Sequence, residues 1–173
     1  MIKLLGINIP ENQIGNWKIE MDNGECSLVK LSLGGSIMKD SATEYYQHQW
    51  LWDNATGDIL VAGLGIGFLN KELIDNHTFN SVTIIENSQD VIDLVWPYCV
   101  KDSRFTLIEA DIETWTPPAN SHWDIGWFDS WISDNALSYN GYMLAMKNKY
   151  SSYCDKIGAW CISHDISNSL VSS

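Results

Sequence analysis

The segment Gly57-Asp58-Ile59-Leu60-Val61-Ala62-Gly63-Leu64-Gly65-Ile66-Gly67-Phe68 constrains this chain more than any other. A polar turn enters a short apolar run. The run opens into glycines at positions 63, 65 and 67, and a helix-forming stretch follows from Leu69 to Asn76. A strand that ends in such a turn lets the main chain pass very close to a ligand, because glycine has no Cβ to stand in the way. The helix behind the turn offers unpaired N–H groups and a positive dipole end. The pattern predicts a strand–turn–helix corner with a nucleotide-like ligand near residue 65.

From this corner onward, strands and helices alternate in the sequence. Ile59–Ala62 reads as a strand and 69–75 as a helix. Ser81–Glu86 is a β-branched strand, and Ser88–Trp96 a helix with Ser88 as its cap. Residues 105–109 and 124–128 read as strands, 140–153 as a helix and 158–163 as a fifth strand. Such alternation predicts a mostly parallel α/β sheet flanked by helices. Residues 1–40 differ. Asn16–Met21 and Cys26–Leu33 alternate polar and apolar around the turn Asp22-Asn23-Gly24, which predicts a small antiparallel β module. Between the two parts, Ser41 and Glu44 form a capping-box pattern that starts a helix over 41–52. We therefore expect a β module over 1–40 and a nucleotide-binding domain over 41–173.

Composition narrows the function. The 173 residues are 45% hydrophobic and 18% charged, which describes a globular chain. No apolar run nears the roughly 20 residues of a membrane helix. The N-terminal Met1 to Gly6 lacks the length and cleavage site of a signal peptide. The expected location is the cytoplasm, with no membrane partner. Cys26, Cys99, Cys154 and Cys161 form no metal-binding pattern and are expected to be reduced and mostly buried. A formal net charge of −12 disfavours nucleic acid as a partner and favours a small cationic molecule. Nine tryptophans are hard to hide in one domain. Several should be partly exposed or at an interface, which points to a homo-oligomer.

Ligands of open α/β sheets bind beyond the carboxyl ends of the strands. Polar groups stand at nearly every such end: Glu86, Asp111, Asp129, and His164 with Asp165. A carboxylate at Glu86 can accept hydrogen bonds from ribose hydroxyls. Single acids after strands are often turn or capping residues. Three in phase with a glycine turn point to a shared ligand site. His164 reads as a second base or as a structural residue, and His48 and His77 as solvated surface.

The order of glycine turn, Glu86, Asp111 and Asp129 resembles the class I S-adenosylmethionine-dependent methyltransferases. Within that superfamily the chain looks most like the spermidine synthase branch, the polyamine aminopropyltransferases, over roughly residues 16–165. The resemblance implies a Rossmann-like fold and S-adenosylmethionine, or its decarboxylated form, as cofactor. It implies cofactor binding by Gly63, Gly65, Gly67, Glu86, Asp111 and Gln47, and catalysis by Asp129 with Tyr46 orienting the acceptor. No metal is implied. Two departures stand out. Ile66 occupies the position of the branch's aspartate, and Trp131-Ile132 replaces the tail after its catalytic aspartate. The branch's last two strands are expected to be missing.

For an amine acceptor, Asp129 could take the proton. Trp127 and Trp131 could wall the site against a cation or serve as packing. The leading reading is a methyltransferase-like enzyme acting on a small or cationic acceptor. The alternatives are aminopropyl transfer and a non-catalytic nucleotide-binding or assembly protein. A nicotinamide site is a weaker reading, because Phe68 stands where the dinucleotide fingerprint wants a small residue.

Overall fold

A computed structural model describes residues 4–167. Residues 1–3 and 168–173, the outer ends of the two expected domain ranges, lie outside the described residues. The first part of the chain is a four-stranded antiparallel sheet in the order β1-β2-β3-β4. Its strands are β1 (Asn12–Ile14), β2 (Trp17–Asp22), β3 (Glu25–Lys30) and β4 (Gly35–Lys39). Asn23 and Gly24 both adopt positive φ, 51° and 85°. That conformation matches the twist of the flanking strands and sets the β2–β3 register. The module's apolar face, with Ile19, Cys26 and Leu28, is buried.

The single helix expected over 41–52 is two short helices, α1 (Ala42–Gln47) and α2 (Gln49–Asn54). Ser41 caps α1 through Glu44 N–H as the sequence pattern predicts. The break falls at His48, and its cause is a competing hydrogen bond. The Glu44 carbonyl, which a continuous helix would pair with the N–H of residue 48, instead accepts from His48 Nδ1 at 2.8 Å.

The second sheet has five parallel strands in the order β7-β6-β5-β8-β9. They are β5 (Asp58–Ala62), β6 (Ser81–Glu86), β7 (Phe105–Glu109), β8 (Trp123–Phe128) and β9 (Cys154–Ala159). Helices α3 (Phe68–Asn76), α4 (Gln89–Val95) and α5 (Tyr139–Tyr150) connect them. Strand order reverses beside β5, so a crevice opens at its carboxyl end. Alternate side chains serve two cores. Ile59, Val61, Ile84, Ile125 and Trp127 pack with Leu51, Trp52, Phe68 and Leu73. Leu60, Ala62, Ile85, Phe128 and Ile157 pack with Tyr142, Met146 and Tyr150.

The fifth strand begins and ends four residues earlier than the expected 158–163. The chain turns at Trp160 and Cys161, where Cys161 takes a left-handed φ of 64°. His164 and Asp165 therefore do not close the strand. Asp165 folds back beside it and accepts from Ile157 N–H at 2.9 Å, while Ile166 N–H donates to Ile157 O at 2.8 Å. These bonds cover the middle of the outer edge of β9. Among the described residues, no helix is long and apolar enough to cross a membrane.

At Gly63 the glycine turn presses against main chain rather than a side chain. The residue's φ is 99°, and a Cβ there would lie 2.7 Å from the Asp129 carbonyl oxygen. Gly63→Ala should lower unfolding stability by about 1–3 kcal/mol in urea titrations. An unchanged midpoint would show that the turn relaxes freely.

Candidate functional site

The glycine turn is held from both sides. Leu64 and Ile66 point into the core and are fully buried, which leaves Gly63, Gly65 and Gly67 as bare main chain. Gly63 N–H donates to Ile85 O, and Gly67 N–H closes on Leu64 O. Leu64 N–H donates to Glu86 Oε2 at 2.9 Å. The N–H groups of Gly65 and Ile66 have no partner among the described residues. The Ile66 side chain offers no polar group to the crevice.

Glu86 ends β6 and is nearly buried. Its second oxygen accepts from Ser88 N–H at 2.9 Å. Burial pushes its carboxyl above the usual range, against the pull of N–H groups from Leu64, Ser88 and Asn87. Each carboxylate oxygen keeps a lone pair for a ligand hydroxyl. Two chambers meet at this residue. The larger, about 250 Å³, lies between Gly63, Gly65 and Asp129 on the sheet side and Trp17, Ile37 and Met38 of the β module. The smaller, about 50 Å³, reaches Ala110, Asp111 and Ile112 beyond β7. Gly63, Glu86, Asn87, Ser130 and Asn135 line both. Among the described residues, no lysine or arginine lines either chamber.

The structure thus brings Gly63, Gly65, Glu86, Asp111 and Asp129 to one cleft. Gly67 lies at the start of α3, backed by Cys99, and shapes the turn from behind. Asp111 also caps its own turn, accepting from Glu113 N–H at 2.9 Å. Met38 covers Gly65 so closely that no Cβ would fit. Tyr46 and Gln47 stand elsewhere. They line a separate hollow of about 430 Å³ with Trp50 and Cys161, and Tyr46 does not face Asp129 across the cleft. His164 is exposed and lines neither chamber. Cys26, Cys99 and Cys154 are buried free thiols, and Cys161 is an exposed one.

His48 is the residue that sequence reasoning misplaced. It is fully buried, not solvated. Trp52, Phe68 and Trp127 surround its ring, with centroids 5.6, 5.3 and 5.2 Å away. Its Nε2 lies 2.9 Å from Asp129 Oδ2, and a Glu44 carboxylate oxygen lies 3.8 Å from Nδ1. Burial alone would lower the imidazole's pKa. The hydrogen bond and charge of Asp129, aided by Glu44, outweigh it and hold His48 above its ordinary value. Glu44 is pushed up to about 7 by burial and then by the charge of Asp129, although His48 opposes this. The Trp160 indole N–H leans toward Glu44 and eases its ionisation, but does not reach a formed hydrogen bond. The spacing of Glu44 and His48, four apart behind a helix cap, was the available sequence signal. His77 is also mostly covered, with a side chain 15% exposed beside Glu72.

Three of the nine tryptophans, Trp17, Trp131 and Trp160, line the larger chamber. Trp127, expected as wall or packing, is packing. It is buried and stacks on Trp50 at 6.3 Å.

The Glu44–His48 pair makes stability fall as pH rises. A carboxyl moved from 4.5 to about 7 holds its proton more tightly in the folded state, so stability is lost across that interval. His48, raised above 6.5, contributes fully below 6.5 and loses its contribution as pH passes its folded value. Melting temperature should therefore drop between about pH 5 and pH 8 at fixed ionic strength, and Glu44→Gln should flatten the slope. An equal slope in the variant would place the pH response elsewhere.

No protein-family model matches the chain, and no curated protein matches it in sequence. Solved structures do. A putative S-adenosylmethionine-dependent methyltransferase from Streptococcus mutans superposes with a TM-score of 0.55 at 12% identity, covering 86% of this chain and 42% of its own. A putative RNA methyltransferase from Pyrococcus horikoshii gives 0.49 at 15% identity, with 68% and 54% covered. A Podospora anserina methyltransferase bound to S-adenosylhomocysteine gives 0.46 at 20% identity, with 65% and 49% covered. The chain thus spans about half the length of these proteins, or less. The Streptococcus mutans likeness is one of fold: a Rossmann-like parallel sheet flanked by helices, as in S-adenosylmethionine-dependent methyltransferases.

Proposed function

We propose that the cleft binds S-adenosylmethionine and that the chain transfers its methyl group to a small cationic acceptor. The observation that carries this reading is the placement of Glu86 at the junction of two chambers, with bare main chain on one side and Asp111 on the other. A nucleoside laid along the crevice would place its base near Asp111 and its ribose hydroxyls on the spare lone pairs of Glu86. The unpartnered N–H groups of Gly65 and Ile66 would meet the ligand's carboxylate end. Gly63, where a Cβ would be driven into Asp129 main chain, holds the glycine turn close against the end of β8 and so keeps Asp129 at the cleft.

When bound, this cofactor supplies an electrophilic carbon on a sulfonium and leaves as a neutral thioether. The remaining work falls to the chain's own residues, chiefly alignment. Asp129 lines the larger chamber and is the group that would take the acceptor's proton. Trp17, Trp131 and Trp160 present ring surface to a cation. Among the described residues the lining carries acids and no lysine or arginine; with the net charge of −12, this favours an amine over a phosphate-bearing acceptor.

A second reading, aminopropyl transfer from the decarboxylated cofactor, draws on the β module that roofs the cleft and on Asp129. The buried Ile66 side chain weighs against it, since it leaves no carboxylate in the turn for the donor's ammonium group.

Calorimetric titration with S-adenosylmethionine, its decarboxylated form and NAD tests the proposal. We expect binding of the first, weakened about tenfold or more by Asp111→Ala and by Glu86→Gln. Asp129→Asn should bind the cofactor within a few-fold of the parent and support no transfer to amine acceptors. Preference for the decarboxylated form would favour the second reading. No binding of any of the three would leave the cleft without this role.

A further inference from the structure

The Glu44–His48–Asp129 cluster beneath the cleft has no part in the reading above beyond Asp129 itself, and its hydrogen bonds fix more than its composition does. His48 Nδ1 lies 2.8 Å from the Glu44 carbonyl oxygen, which can only accept, so Nδ1 carries a proton. His48 Nε2 lies 2.9 Å from Asp129 Oδ2. A neutral ring with its proton on Nδ1 would aim a lone pair at a carboxylate oxygen, in a site from which water is excluded. A second proton must lie on that line. In water an imidazole keeps its proton to a pH roughly 2.6 units above that of an aspartic acid, so the proton belongs to the ring.

We propose that His48 is a doubly protonated positioning residue. It pins Asp129 Oδ2, cancels the charge of that carboxylate, and leaves Oδ1 as the atom that faces the cleft. This deepens the transfer reading, on which its functional meaning rests. Oδ1 has no hydrogen-bond partner among the described residues, and Asp129 lines the larger chamber. The acceptor's proton would pass to Oδ1 as the acceptor nitrogen's lone pair forms its bond to the transferred carbon. The C–S bonding pair leaves with sulfur, and charge balances. His48 touches neither reactant.

The cluster could also be read as a metal site, because one ligand atom from each of the three residues lies within 4.8 Å of the others. The hydrogen bonds argue for the proton instead. Nδ1 is consumed by the Glu44 carbonyl, and the Glu44 carboxylate oxygen Oε1 stands 3.8 Å from that same nitrogen. Other titratable groups also act on the cluster. Cys161 feels both Asp129 and Glu44, and Tyr139 and Tyr142 feel Asp129. All three are shifted upward, burial being the first cause in each, so they remain neutral near pH 7.

Nitrogen-15 NMR of histidine-labelled protein tests the protonation without any ligand. The variants His77→Gln, His122→Gln and His164→Gln assign the other three rings and leave His48 by elimination. We expect both His48 nitrogens to be protonated at neutral pH and unmoved by EDTA. In Asp129→Asn the ring should lose its second proton at lower pH than in the parent. A neutral ring in the parent, or a resonance that shifts on chelation, overturns the proposal.

The charge role is read from His48→Gln by titration with S-adenosylmethionine and with neutral S-adenosylhomocysteine. Loss of the compensating charge should raise preference for the cationic ligand by about tenfold or more. An equal change in both affinities overturns the charge role. If neither ligand binds the parent protein, the transfer reading fails, while the NMR result still decides the state of His48. If His48→Gln does not fold, the nitrogen-15 result on the parent protein decides the proposal by itself: a neutral His48 ring overturns it.

Discussion

The hydrogen bond from Leu64 N–H to Glu86 holds the cleft together. It ties the glycine turn after β5 to the end of the neighbouring strand. The same carboxylate accepts from Ser88 and so fixes the entry to α4. One side chain thereby sets the spacing between two strand ends and orients the helix that follows the second. The β module depends on that placement in turn, since Asp90 of α4 fills the space beside Gly15 so closely that no Cβ would fit. A buried carboxylate is costly unless it is hydrogen-bonded. Glu86 is bonded to main chain on both oxygens, yet each oxygen keeps capacity for a ligand.

The tryptophans divide into groups with different work. Trp52 and Trp127 wall His48 together with Phe68, and Trp50 backs Trp127. Trp17, Trp131 and Trp160 line the cleft. A low-polarity wall strengthens every charge interaction inside it, and that governs both the pair beneath Asp129 and any cation above it. No tryptophan is fully exposed among the described residues. Several tryptophans were expected to be partly exposed or at an interface; Trp17, Trp96, Trp115, Trp131 and Trp160 are partly exposed, and three of these five line the cleft.

The parallel sheet was legible because its signals are local. β6 and β7 coincide with their β-branched and apolar runs, and the Asn23-Gly24 turn announces its hairpin. The glycine turn and the acids at strand ends were legible for the same reason, since topology alone delivers strand ends to one edge. What could not be read depends on contacts between distant residues. His48 lies in a polar sequence, and only its partner at Asp129, 81 residues on, explains its burial. The early start of β9 needs Gly158 against Trp50 and Asp165 against Ile157, again long-range contacts. Tyr46 and Gln47 sit next to His48 in sequence but on another face. One imidazole that turns inward breaks the helix and rotates its neighbours toward a different hollow.

The acidity of the chain takes a more specific meaning at this cleft. Glu86, Asp111, Glu113 and Asp129 line its two chambers, and no basic side chain among the described residues joins them. A set of carboxylates around one cavity repels itself and is relieved by protons, by hydrogen bonds or by a cationic ligand. Glu86 is relieved by main-chain N–H groups and Asp129 by an imidazole from below. Asp111 accepts from its own turn, and its second carboxylate oxygen has no hydrogen-bond partner among the described residues. The Lys149 ammonium stands at the same end, on the carbonyls of Ile112 and Glu113, where it feels the charges of Asp111 and Glu113. Each acid of the cleft thus has a different counterweight: main-chain N–H groups, an imidazole, or a lysine held at a distance. Only the last leaves a carboxylate oxygen without a direct donor, so an amino group or ring N–H of a ligand can take that place at Asp111.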